Sequence, residues 1–553
     1  MPVRFARCAV SAPAGIIACR RATVAVVPCA TMRDRRMEQR NVVEPPASGH
    51  PEPAWLERGR ALVLRGDVAG ALAVFSAAQA EHPDSIEIAL ALAGLYWQTK
   101  RAADAETLLR RLLAAHPGHA AAALLLAKIL KERGRMNAVA AVVRALFEQA
   151  PQPVGLTIQA IELLDDAGMK DAAAAICEDA IAHGSTDPRL YAYSGMLHLQ
   201  LGDFARVRER YTYALEHSAQ ALDWQVANGL AAAQRYAVAS HADFALFEKC
   251  LQRTDLGDRA RASVLFALGK ACDDIGDPAR AAGYFRDGNR LVAGLVDWSR
   301  KNFRRTVASR LDARPNADRV APADDFVPIF IVGMPRSGTT LVADFLARHA
   351  QVRYRGELGW MPFLAAQLGQ NARPTTKMLE DAAATYRVQV RQDDAPARFY
   401  VDKQPLNFLN VDLIAALFPN ARIIHCTRNE RDTALSIWMQ YFAGPEQNFA
   451  YDFADIAAVM QGCGKLMALA KKRGAVDIRT VSYERLAADV ETSMRELATW
   501  LDLGAAAGAA GATTISTSSL WQVRQPVYTR SIGRWRAYAP HVPELMQFSA
   551  GDS

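Results

Sequence analysis

Eight cysteines in 553 residues stand apart (Cys8, Cys19, Cys29, Cys177, Cys250, Cys272, Cys426, Cys463), with no Cys-x-x-Cys pair and no neighbouring histidine cluster. That excludes a cysteine-framed scaffold and structural zinc, and it suits a reduced compartment. No apolar run reaches the ~20 residues that a membrane span needs. Lysine-rich tracts and aromatic-basic stripes are missing too, so nucleic acid is not an expected partner. The formal charge of +7 comes from 65 basic and 58 acidic residues. It accommodates an anionic ligand without demanding one. Residues 1–33 lack Asp and Glu but hold several arginines. A targeting segment and an unstructured leader, with the start at Met32 or Met37, both stay open. Residues 1–50 are set aside as disordered or leader sequence.

A chain this long exceeds one core, so two or more folded units are expected. From Pro53 to Asp297 the sequence is rich in alanine and leucine with helical periodicity. Pro83, Pro117 and Pro151 fall 34 residues apart. At matching offsets before them lie Ala78, Phe75, Ala71 and Gly59, then Leu112, Leu109, Ala105 and Ala93, then Leu146, Val143, Val139 and Ala127. Weaker copies follow around Gly195, Tyr211 and Ala214, and around Gly269, Ala281 and Phe285. Small residues where two helices touch, apolar ones in the groove and proline at the turn resemble the tetratricopeptide repeat. Such pairs stack into a solenoid over residues 53–297. A groove for a protein or peptide, a spacer and a self-association surface are all open as its role. Residues 312–325 carry proline and charge without periodicity and read as a linker.

Beyond the linker, Val327 to Val332 reads as a buried strand. Gly333-Met-Pro-Arg-Ser-Gly-Thr-Thr340 follows, and then a helix with Val342, Phe345, Leu346 and His349 on one face. Strand, glycine turn and helix N-terminus make an anion site. The spacing is that of a nucleoside-triphosphate loop, but Thr339 stands where its lysine belongs. The strand Arg422–Cys426 runs into Thr427-Arg428 rather than into a magnesium-holding aspartate. Both absences argue against triphosphate hydrolysis, and an arginine at that strand end suits a second phosphate.

Pro335-Arg-Ser-Gly-Thr-Thr-Leu341 resembles the 5′-phosphosulfate loop of sulfotransferases that use 3′-phosphoadenosine 5′-phosphosulfate (PAPS), particularly the tyrosylprotein sulfotransferase-like branch. Thr427-Arg428-Asn-Glu-Arg-Asp-Thr-Ala-Leu-Ser436 resembles that family's 3′-phosphate motif. The likeness covers about residues 326–545, taken as the catalytic domain: a P-loop-type α/β fold with a mostly parallel sheet flanked by helices. Together with repeats it resembles a bacterial architecture, which implies a cytoplasmic protein. The resemblance implies a donor site of Arg336, Ser337, Gly338, Thr339, Thr340, Arg428 and Ser436. Tyr483 would lie by the adenine, and Arg530 and Ser531 near the phosphates in a closing C-terminal segment.

For chemistry, Arg336 and Lys403 would meet the charge on the departing bisphosphate, Lys403 resembling the family's Lys-x-Pro lysine. Ser531 joins them as a catalytic candidate. These cations remove the need for a metal. Glu357 is the candidate base for the acceptor hydroxyl. Residue count matches it to the family's catalytic acid, while alignment on Gly356 matches it to the neighbouring acid. Gln440 stands where animal tyrosylprotein enzymes carry arginine. His349 and His425 read as packing residues. Trp360, Met361 and Trp438 fit an apolar acceptor cleft or core equally. Protein tyrosine, a sugar hydroxyl and a small phenol remain open as acceptor. The alternatives are a kinase-like P-loop enzyme and a repeat scaffold with an inactive catalytic domain.

Overall fold

The computed structural model describes residues 51–313, 318–369, 374–503 and 531–550. Two compact units are present: residues 51–184 with 392–394, and the remaining described residues from 185 onward. The division therefore falls within the expected repeat segment, and helices from Pro188 to Asp312 belong to the same unit as the α/β part.

In the first unit, glycine and alanine let helices close on one another. Eight helices alternate: α1 (Glu52–Leu64), α2 (Val68–Glu81), α3 (Ile86–Gln98), α4 (Ala102–Ala115), α5 (Ala120–Glu132), α6 (Met136–Gln149), α7 (Val154–Asp166) and α8 (Lys170–Ala182). Gly59 on α1 faces the ring of Phe75 on α2, and a methyl at Gly59 would land inside that ring. The same 16-residue step joins Ala93 to Leu109 and Ala127 to Val143, all buried. Caps fix the helix starts: Asp67 accepts from Gly70 N–H and Ser85 from Ile88 N–H, satisfying donors that a first turn leaves open.

The second unit opens with more helices: α9 (Pro188–Leu201), α10 (Phe204–His217), α11 (Val226–Ala232), α12 (Ala242–Leu251), α13 (Asp258–Asp274), α14 (Pro278–Ala293) and α15 (Arg300–Asp312). The small-to-aromatic step recurs here. Gly195 meets Tyr211, and Gly269 meets Phe285. The weaker sequence copies are thus helix pairs packed in the repeat manner.

Five parallel strands follow: β1 (Val327–Gly333), β2 (Val352–Tyr354), β3 (Phe399–Asp402), β4 (Arg422–Thr427) and β5 (Asp477–Ser482), in the order β2-β3-β1-β4-β5. Every residue of β1 is buried, as in parallel sheets covered on both faces. Its alternation splits the core. Ile329 and Ile331 join Val342, Leu346, Val401, Ile424 and Leu497 on one face. Phe330 meets Tyr386 at 5.8 Å on the other, where Tyr386 also meets Phe418 at 5.1 Å.

Flanking helices are α16 (Thr339–Ala347), α17 (Trp360–Leu368), α18 (Thr376–Arg391), α19 (Val411–Leu417), α20 (Glu430–Trp438), α21 (Phe453–Arg473), α22 (Tyr483–Ala488) and α23 (Val490–Trp500). Among the described residues α21 is long and apolar enough to cross a membrane by length and composition, an exception to the expectation that no run would be. It packs as a core helix: Ile456, Val459, Cys463 and Met467 are buried, and Phe303 and Val307 of α15 close over Gly462. β2 has three residues, too few to carry a strand pattern in the sequence.

Candidate active site

Parallel strands place ligands beyond their carboxyl ends, at the point where connections diverge. Here that point is β1, flanked by β3 and β4. Across the sheet each strand is followed by one candidate residue. In spatial order these are Glu357 after β2, Lys403 after β3, the 333–340 turn after β1, Arg428 after β4 and Tyr483 after β5.

The turn is held tightly against β4. Gly333 has φ of 142°, and a side chain there would collide with the Cys426 carbonyl. Gly338 has φ of 93° and would meet the Tyr483 ring at 2.9 Å if it carried a Cβ. Arg336 takes φ of 70°, a conformation that costs a branched-out residue about 1 kcal/mol or more. Strain of this kind persists where the surroundings demand it. Ser337 Oγ lies 2.7 Å from Met334 O and 3.3 Å from Cys426 O. Its hydroxyl therefore closes the turn, leaving the backbone as its route to a ligand. Thr339 and Thr340 are buried at the start of α16, whose first N–H groups face the same turn.

Arg428 is the hub. Its Nη1 donates to Arg336 O at 3.1 Å and its Nη2 to Ser531 O at 2.6 Å. The guanidinium lies 4.6 Å from the Tyr483 ring centroid, and Tyr483 Oη is 2.6 Å from Ser531 Oγ. Arg336 Nε donates to Ser436 Oγ at 3.1 Å. The structure thus brings Arg336, Gly338, Arg428, Ser436, Tyr483 and Ser531 together. Arg530 lies outside the described residues, as do 504–529. Burial lowers the Arg428 pKa, an effect that Asp432 opposes. Arg428 Nε is sealed from solvent with no hydrogen-bond partner among the described residues. A half-buried cation that donates to two carbonyl oxygens and keeps further N–H groups uncommitted, Nε–H among them, fits an anion.

The second cluster lies across β1. Lys403 is fully buried and ion-paired with Glu357, whose side chain keeps 23% exposure. Behind them is Asp402, which sequence reasoning missed. It accepts from Tyr386 Oη at 2.9 Å and from Leu358 N–H at 3.3 Å, so it fixes the turn that carries Glu357. Burial pushes its carboxyl up to about 7, opposed by those two hydrogen bonds and reinforced by the Glu357 charge. The signal available was an acid ending an otherwise apolar strand, Phe399-Tyr-Val-Asp402. Gln404 Oε1, Asn407 Nδ2 and Tyr354 Oη are buried nearby in sequence without partners among the described residues.

Other candidates fall into packing roles. His425 is buried beside Cys463, with Sγ and Nε2 3.9 Å apart, and burial lowers its pKa to about 4. It is neutral at physiological pH. His349 caps a turn through Gln351 N–H at 3.2 Å. Trp438 stacks on Phe453 at 5.1 Å, and Met361 is fully buried, so both belong to the core. Trp360 is half-buried against Phe363.

Residues 328–506 match the model described as the sulfotransferase family, and residues 62–129 and 98–162 match that of the tetratricopeptide repeat. Residues 328–506 are a sulfotransferase-family domain. Protein-tyrosine sulfotransferase 1 of Homo sapiens is 28% identical over 150 residues, 25% of this chain and 40% of that protein. A putative protein-tyrosine sulfotransferase of Caenorhabditis briggsae is 27% identical over 184 residues, 32% of this chain and 65% of its own. An uncharacterized protein of Aquifex aeolicus (strain VF5) is 29% identical over 334 residues, 55% of this chain and 43% of its own. The chain therefore spans less than two thirds of the length of these relatives. Among solved structures, a tetratricopeptide repeat protein from Parabacteroides merdae aligns at 16% identity and a TM-score of 0.26, over 43% of this chain and 93% of that one. The sulfotransferase-family match begins one residue into β1 and runs past β5, so Glu357, Lys403, Arg336, Arg428 and Tyr483 all lie inside it, whereas Ser531 lies beyond its end.

Proposed function

We propose that the sulfotransferase domain moves the sulfuryl group of PAPS to a hydroxyl acceptor, with tyrosine of a protein or peptide the leading candidate, and releases adenosine 3′,5′-bisphosphate. The observation that carries the donor assignment is Arg428. Its half-buried guanidinium spans from the loop carbonyl of Arg336 to that of Ser531, and Nε has no partner among the described residues. An arginine fork recognises a phosphate dianion better than a lysine point charge does. The loop and the α16 N-terminus take the 5′-phosphosulfate, and Arg428 with Ser436 takes the 3′-phosphate.

In the reaction the acceptor oxygen bonds to sulfur as the bond from sulfur to the bridging oxygen breaks. Glu357 takes the acceptor proton, and Lys403 and Arg336 meet the charge left on the bridging oxygen. The Lys403–Glu357 pair supports this division. Each neutralises the other at rest, and drawing Lys403 toward the leaving group exposes the Glu357 carboxylate to the acceptor. Support for a tyrosine acceptor comes from the names of the relatives. The repeat helices of the first unit serve as a surface for a protein partner.

Calorimetric titration with adenosine 3′,5′-bisphosphate in the presence of a chelator tests the donor reading. Micromolar or tighter binding is expected. Lack of binding, or binding only of a magnesium nucleoside triphosphate, would remove it.

A further inference from the structure

Residues 531–538 are gripped from two sides. Asp432, buried on α20, accepts from Gly533 N–H at 2.6 Å and from Trp535 N–H at 2.9 Å. From the other side comes Asp273 near the end of α13, a helix of the repeat-like series. Its Oδ1 accepts from Tyr538 Oη at 2.6 Å, and its carboxylate pairs with Arg534. Arg286 of α14 continues the grip, reaching Glu544 at 3.0 Å and the His541 carbonyl at 3.3 Å. The held segment begins with Ser531, whose carbonyl accepts from Arg428 and whose hydroxyl meets Tyr483.

We infer that Asp273 is a positioning residue for the donor: by anchoring Arg534 and Tyr538 it sets Ser531 over Arg428, so a helix outside the α/β domain tunes recognition of the 3′-phosphate. The inference rests on the PAPS reading above. Three features support it. Tyr538 is buried, and its hydroxyl lies with Arg534 against the Asp273 carboxylate, so one acid holds both side chains. Asp432 fixes the backbone at 533 and 535, whereas Asp273 holds the side chains of Arg534 and Tyr538. Ser531 lies three residues before Arg534, too close for slack between anchor and site.

The test compares Kd for adenosine 3′,5′-bisphosphate and for adenosine 5′-phosphate, using the full chain. The Kd for adenosine 5′-phosphate divided by that for the bisphosphate reports the 3′-phosphate alone. Asp273→Asn should lower the wild-type ratio about tenfold, the worth of roughly one charge-assisted hydrogen bond, by weakening the bisphosphate. Tyr538→Phe deletes a single hydroxyl and should lower it about threefold. A folded Asp273→Asn protein with an unchanged ratio overturns the inference, and so does an equal loss for both ligands. If Asp273→Asn does not fold, the Tyr538→Phe ratio decides by the same criterion. A wild-type protein that shows no preference for the bisphosphate overturns the PAPS reading itself, before any substitution is made.

Discussion

Arg428→Gln offers the most direct test of how the donor is held. Glutamine keeps a planar amide and enough length to reach one of the two carbonyls at Arg336 and Ser531, so the turn need not open. What it removes is the positive charge and the fork. A hydrogen bond to a charged group contributes about 1.5–3 kcal/mol, and two such bonds to the 3′-phosphate, less the one neutral contact that remains, leave a loss of about 3 kcal/mol. That corresponds to about two decades in Kd. The loss should fall on adenosine 3′,5′-bisphosphate and spare adenosine 5′-phosphate, because Arg428 follows β4 while the 5′ loop follows β1. Calorimetry of both ligands against both proteins forms a cycle whose coupling term is the Arg428–phosphate interaction. An Arg428→Gln protein that keeps its preference for the 3′-phosphorylated ligand would refute the assignment. Equal weakening of both would mean that the substitution acts on the turn.

Glu357→Gln should lower turnover by two to four decades while changing donor Kd less than about threefold, measured by transfer from labelled PAPS; near-normal turnover moves the base elsewhere. Glu357→Ala strips Lys403 of its ion-pair partner while the ammonium stays buried. It should therefore destabilise by about 3 kcal/mol, and adding Lys403→Met should recover much of that in urea unfolding; no recovery would mean the pair does not set the cost. Asp402 binds its proton up to about pH 7 when folded but only to about 3.9 when unfolded. Its contribution is thus fully present below pH 4 and fades as pH rises through 7. Relative to wild type, Asp402→Asn should gain about 1.4 kcal/mol per pH unit across that window. A pH-independent difference in urea midpoint would show Asp402 to be ionised in the fold. Gly269→Ala puts a methyl 2.7–2.9 Å from three carbons of the Phe285 ring. It should cost about 1–3 kcal/mol, read as a lower thermal midpoint, and Phe285→Leu should relieve it.

Legibility in the sequence followed the range of the interactions. The repeat register was visible because 34-residue periodicity repeats a local contact, so Gly59, Ala93 and Ala127 announce themselves by position alone. The 333–340 turn and Arg428 were visible because strand, turn and helix are contiguous and their chemistry is unusual. At Ser337 the sequence shows a hydroxyl in an anion loop, but only the fold shows the Met334 and Cys426 carbonyls that engage it. Asp402 sits beside a residue singled out for its charge, yet its role depends on Tyr386, 16 residues away on α18. Asp273 and Asp432 were beyond reach. Each is an ordinary acid near a helix terminus, and its partners lie 265 and 101 residues away.

The order of candidates along the sheet edge constrains more than the list does. Neighbouring strands are ~4.8 Å apart, so Arg428, one strand from the loop, stands within the span of an adenosine bisphosphate. Lys403 and Glu357 follow the two strands on the opposite side of β1. A donor gripped by the loop and by Arg428 must then direct its adenosine toward β4 and β5 and its sulfuryl group toward β3. On that reading the acceptor arrives from the β2 side, where Glu357 is partly exposed while Lys403 is buried, and Trp360 opens α17 just beyond it. Substitutions that alter acceptor choice without altering bisphosphate affinity should therefore cluster at Glu357, Trp360 and their neighbours on the β2–α17 turn. Acceptor-selective variants that instead mapped beyond β5, around Tyr483, would show that the donor lies the other way round.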